Sequence, residues 1–187
     1  MFYICISFVN IIIIWSMKKI MFILFLATGA VVSANAQQDK SKRLSPPDSV
    51  SVTTSKGTTI KINYSRPYLK GRQLGVDLVP LGQVWRTGAN EATTIEVNKN
   101  VTVEGKKLPA GKYSLLTIPG ETESTIIISK QQEHRGATQY DPAQDALRVT
   151  VPTQQNSKAV EQFTIAIDKA GKVSLTWGEW LLAFNVH

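Results

Sequence analysis

The stretch Phe163-Thr164-Ile165-Ala166-Ile167-Asp168-Lys169-Ala170-Gly171-Lys172-Val173-Ser174-Leu175-Thr176-Trp177 decides the fold class. Large apolar residues occupy every second position on either side of a Lys-Ala-Gly turn signal. Successive side chains of an extended chain point to opposite faces, so Phe163, Ile165 and Ile167 share one face, as do Val173, Leu175 and Trp177. In a helix, residues two apart lie on roughly opposite sides, so neither run would form a single apolar stripe there. The stretch therefore predicts two half-buried strands joined by a short turn.

The same alternation recurs outward from it, at Ile60, Ile62 and Tyr64 and at Leu147, Val149 and Val151. Ile126 to Ile128 is apolar on both faces, which suits a central strand. Asn98-Lys99-Asn100 is expected to close a tight hairpin, and Glu104-Gly105 and Pro119-Gly120 mark further turns. The pattern predicts roughly nine or ten strands. No helical stretch is longer than 141–147. Parallel strands need long crossover helices, which are missing. The expected fold is a single all-β domain, an antiparallel β-sandwich or jelly roll over residues 49–187.

Residues 37–48 are polar, carry Lys40, Lys42, Arg43 and Pro46-Pro47, and read as a flexible linker. Upstream, Met17 opens a run with Lys18-Lys19, an apolar core and Ala34-Asn35-Ala36. That is the order of a secretory signal peptide cut after Ala36, so residues 1–36 are expected to be removed. Residues 1–16 form a second apolar run, read as an over-extended start before Met17 or, alternatively, as a hydrophobic span. The expected product is periplasmic or secreted, with no membrane span after cleavage.

The 187 residues include 21 Lys and Arg, 14 Asp and Glu, two His and one Cys. Cys5 lies in the leader, so the expected mature chain has no thiol. This excludes a disulfide scaffold, a cysteine-ligated metal and a cysteine nucleophile there. Removing Lys18 and Lys19 with the leader leaves 19 basic against 14 acidic groups, a net charge of +5. That charge is scattered, without the dense basic stripe of a nucleic-acid binder. No phosphate loop, nucleophile elbow, metal-ligand spacing or cofactor motif occurs, so no cofactor or metal is expected. A triad built on His134 is conceivable, but 131–136 reads more simply as a solvated hairpin end.

Residues 64–93 break the period. They hold Arg66, Lys70, Arg72 and Arg86 against only Asp77 and Glu91, with Tyr64, Tyr68 and Trp85 as aromatic faces. Long connections with their own charges and aromatics are either functional or packed closures of the fold. The guanidinium fork suits carboxylate or phosphate, and rings beside it suit sugars or apolar bodies. The candidate ligand-binding residues are Tyr64, Arg66, Lys70, Arg72, Trp85, Arg86, Asn90 and Glu91. Alternatively the arginines fasten the loop. Arg66 shares the parity of Ile60, Ile62 and Tyr64 and would then pair with Glu91 or Asp77, while Glu91 would be a partner of Arg86. Trp177 continues a core face, whereas Trp180 is freer to meet a ligand.

The motifs Tyr64-Ser65-Arg66-Pro67 and Lys70-Gly71-Arg72, the run LVPLGQVWRTGANEAT over 78–93 and VEGKKLPAGKYSLLTIPG over 103–120 closely resemble a bacterial envelope family, domain of unknown function 2911. The resemblance implies an exported β-domain and transfers no catalytic role. Three functions are expected from the residues. The first is non-enzymatic binding of an anionic or carbohydrate envelope ligand at 64–93. The second is a glycan or ester hydrolase with Glu91 as acid/base. The third is an envelope docking module with a flat apolar patch near Trp85.

Overall fold

The computed structural model describes residues 39–132 and 139–187. The expected signal peptide and the His134 proposal lie outside those residues. The described residues form twelve strands: β1 (Pro47–Thr53), β2 (Thr59–Ser65), β3 (Leu74–Gly75), β4 (Leu78–Pro80), β5 (Thr94–Val97), β6 (Val101–Val103), β7 (Lys106–Leu108), β8 (Gly111–Ile118), β9 (Glu123–Ser129), β10 (Asp145–Pro152), β11 (Gln154–Ile167) and β12 (Lys172–Asn185). The only helical turns among the described residues are 3-10 turns, such as Lys40–Lys42 and Pro142–Gln144. The all-β expectation holds.

One layer is a six-stranded antiparallel sheet in the order β1-β2-β5-β8-β9-β10. The second is the β11–β12 hairpin, which β6–β7 extends through a bridge between Val103 and Val186. There the Thr102 N–H donates to the His187 carbonyl at 2.6 Å and the His187 N–H to the Thr102 carbonyl at 2.9 Å. The inward rows of both layers form one core. Ile60, Ile62, Ile95, Leu115, Ile126 and Ile128 of the first sheet meet Phe163, Val173, Leu175, Phe184 and Val103 of the second. Ile126, Ile127 and Ile128 are fully buried in β9, a central strand as its two apolar faces predicted.

Two local expectations change. Asn98-Lys99-Asn100 does not close a hairpin: β5 pairs with β2 and β8, whereas β6 pairs with β7, so this turn carries the chain from one layer to the other. Alternation identifies a buried face but not the strand's partner. The true hairpin is the next one. Glu104 and Gly105, at φ 47° and 80°, form a two-residue turn whose twist matches the flanking strands. The linker is also shorter than expected. β1 begins at Pro47, and Arg66 donates its backbone N–H to the Pro46 carbonyl at 2.9 Å.

Candidate functional site

The irregular connection leaves β2 at Ser65 and enters β5 at Thr94, containing only the short β3 and β4. It is pinned to β8, where Trp85 and Thr117 exchange backbone hydrogen bonds of 2.8 and 2.9 Å. The Thr87 and Thr117 hydroxyls lie 2.8 Å apart, and the Thr93 hydroxyl donates to the Thr87 carbonyl at 2.8 Å. All three threonines are fully buried. They hold Thr87 at φ 54°, a left-handed conformation that a β-branched residue rarely adopts. Val79 sits at φ 50° in the same connection. Gly88 passes so close to β2 that an added Cβ would stand 2.8 Å from the Thr93 hydroxyl and 3.0 Å from the Ser65 carbonyl.

Under this framework lies an aromatic cluster. Trp85 stacks on Trp177 at 5.7 Å with 21° between ring planes and meets Phe163 edge-on at 5.1 Å. The Trp85 indole N–H donates to the Gly88 carbonyl at 3.0 Å. Above it opens a cavity of about 620 Å3 lined by Arg72, Gln83, Trp85, Arg86, Asn90 and Trp177, with Pro67, Leu78 and Val79 among its apolar walls. No aspartate or glutamate is among the described residues that line it. Trp177, 4% exposed, is a core residue as its parity predicted and also part of this cavity's wall.

Four of the eight expected site residues therefore meet at one cavity: Arg72, Trp85, Arg86 and Asn90. Arg72 donates to the Leu69 and Tyr68 carbonyls at 2.9 and 3.0 Å, which fixes its guanidinium beside its own turn. Arg86 spends one hydrogen bond, 2.6 Å to the Asn90 carbonyl. Asn90, at φ 59°, donates its amide to the Ser45 carbonyl at 2.9 Å. Neither Arg72 nor Arg86 has a carboxylate partner among the described residues.

The other four lie elsewhere. Tyr64 is 5% exposed; its hydroxyl donates to Asp48 and accepts from the Ile165 N–H, and burial pushes the phenol pKa up. Arg66 donates to the Phe163 carbonyl at 3.1 Å and the Thr164 hydroxyl at 2.8 Å, and pairs with Asp48 at 3.3 Å. Its partner is thus Asp48, not Glu91 or Asp77, because β1 brings Asp48 directly opposite Tyr64. Asp77 instead accepts from the Gln73 N–H within its own turn. Lys70 is exposed at φ 51° and does not line the cavity. Glu91 pairs with Arg43 at 2.8 Å and Lys40 at 3.4 Å, not with Arg86. The hydrogen bonds from Arg43 hold its carboxyl down at about 2. Ser45, Lys40 and Arg43 all come from the expected linker. The one signal for Lys40 and Arg43 is their charge opposite to that of Glu91, far along the sequence, and no local signal marks Ser45.

These features define a two-layer all-β protein with an aromatic and arginine-lined cavity outside one edge of its core. The chain belongs to the family described as protein of unknown function (DUF2911), whose model matches residues 45–186. No curated protein and no solved structure gives a significant match to the chain.

Proposed function

We propose that the protein is an exported, non-enzymatic binding protein of the bacterial envelope that holds an anionic, sugar-sized ligand in the cavity beside Trp85. The observation that carries this reading is the pairing of Arg72 and Arg86, with donors unspent, on a cavity that has no acidic lining residue. Its volume of about 620 Å3 lies within the range of small-ligand sites. The exposed part of the Trp85 ring offers an apolar face, and Gln83 and Asn90 offer amides for hydroxyls. Export rests on the Lys18-Lys19, apolar run and Ala34-Asn35-Ala36 order, and N-terminal sequencing of the mature protein tests it.

The test is titration with N-acetylneuraminic acid, glucuronic acid and a glucose phosphate, each against a neutral sugar. Arg86→Ala is expected to weaken binding of the acidic sugars by roughly 10- to 100-fold, the loss of one or two charge-assisted hydrogen bonds. The melting temperature should barely move. Equal binding of acidic and neutral sugars, or none, would refute the proposal.

Glu91 as a hydrolytic acid/base is the less favoured alternative. A general acid needs a proton near neutral pH, and this carboxyl stays ionised down to about 2. A docking module without a small ligand calls for a flat apolar face near Trp85, where the cavity lies instead.

A further inference from the structure

A second cavity of about 440 Å3 adjoins the first. Gln73, Gln155, Glu179 and Trp180 line it, and Arg72 lines both cavities. One guanidinium, held by its hydrogen bonds to the Leu69 and Tyr68 carbonyls, therefore stands at their junction. The second cavity is a product of strand irregularity. The β11–β12 register shifts between Gln155 and Val160, and Gly178 turns left-handed at φ 56°. A Cβ at Gly178 would stand 3.2 Å from the Leu74 side chain, so that turn has little room for any other residue. Gln155 and Trp180 face each other across the two strands, which places their side chains on one face.

We infer that the two cavities are consecutive subsites for one acidic oligosaccharide, with its charged unit in the Trp85 cavity and a neutral sugar unit against Trp180. This rests on the function proposed above. The division of charge follows from the linings: the first cavity has two arginines and no carboxylate, whereas Glu179 lines the second and disfavours a second anion. A half-buried tryptophan beside two glutamines offers an apolar ring face next to groups that both donate to and accept from hydroxyls. An extended peptide would instead seek unpaired backbone at a strand edge, and Gln155 and Trp180 are already paired with each other.

Calorimetry on the full chain compares N-acetylneuraminic acid with sialyllactose, and glucuronic acid with a hyaluronan tetrasaccharide. The longer member of at least one pair is expected to bind about tenfold tighter, the contribution of one added ring contact. Trp180→Ala, and independently Gln155→Ala at an exposed position, should erase that gain and leave the monosaccharide affinity unchanged. If the monosaccharides bind but length adds nothing, or the gain survives both substitutions, the second subsite is wrong and the first stands. If no acidic monosaccharide binds the unaltered protein, both proposals fall. If tetraglutamate gains over glutamate through Trp180 while the sugars do not, the second cavity takes peptide and the carbohydrate assignment is overturned.

Discussion

Arg66 and Arg86 lie in the same connection, yet the molecule treats them oppositely. Around Arg66 the chain leaves β2 with its parity intact, and the guanidinium reaches the other layer: the Phe163 carbonyl, the Thr164 hydroxyl and, beside them, Asp48. Around Arg86 the chain is fastened by its neighbours, Trp85 through β8 and Thr87 through Thr117, and the arginine itself makes one hydrogen bond. A charge that belongs to the fold spends its donors on the fold. A charge whose neighbours do the fastening keeps most of its donors free. The difference lies in what flanks each arginine, since the side chain is the same.

The two regions meet at Phe163, which touches Tyr64 edge-on at 5.7 Å on one side and Trp85 and Trp177 on the other. Phe163 is 1% exposed. Phe163→Ala should cost about 3–5 kcal/mol in chemical denaturation, through lost burial plus the void it leaves. It should also loosen the Trp85 cavity, so that ligand binding and stability fall together. A loss below about 1 kcal/mol would mean that the rings repack and that the two regions are independent.

Arg66→Ala comes next. It takes away the donors to the Phe163 carbonyl and the Thr164 hydroxyl at a half-buried position and the cation beside Asp48, which keeps the Tyr64 hydroxyl, at a cost of about 1–3 kcal/mol. Thermal unfolding measures it, and a marginal shift would place Arg66 with the solvated arginines after all.

Much of this was legible beforehand, and the boundary of legibility has a physical cause. Period-two alternation reports burial of one face, so Ile60, Leu147, Phe163 and Val173 and the central place of β9 could all be read from local spacing. The same spacing is silent on partners. It placed Asn98 to Asn100 in a hairpin although Val97 and Val101 belong to different layers. It also could not foresee that Asp48, Lys40 and Arg43, in what looks like a polar linker, answer Arg66 and Glu91. Ion-pair partners so far apart in sequence leave no local period. Of the candidate site, residues 64–93 stand out by composition, but which of them face a cavity depends on where β8 and β12 bring Thr117 and Trp177.

Glu91 tests how firmly the segment before β1 is held. Its carboxyl, ordinarily near 4.5, sits at about 2 because Arg43 and Lys40 favour the charged form. A depressed folded-state value stabilises the fold above the unfolded value and loses that stabilisation as pH falls from about 4.5 toward 2. The side chain is 53% exposed, so solvent screening keeps the effect below about 1 kcal/mol. Glu91→Gln should remove this acid-side slope and the sensitivity to added salt with it. An unchanged slope would assign the acid sensitivity to other carboxylates.

The smallest effect expected on stability belongs to Arg86→Ala, and it bears most directly on the contrast with Arg66. The substitution deletes one hydrogen bond to an exposed carbonyl and no ion pair among the described residues. The turn keeps its other fastenings, from the Trp85 indole to Gly88, from Thr93 to Thr87 and from Asn90 to Ser45. The change in unfolding free energy should therefore stay within about 0.5 kcal/mol. If Arg86 is instead slightly unfavourable in the free protein, because it holds positive charge beside Arg72 at one cavity, its removal would raise the melting temperature a little while weakening anion binding. A loss as large as that of Arg66→Ala would erase the distinction between the two arginines and make Arg86 a fastening of the loop.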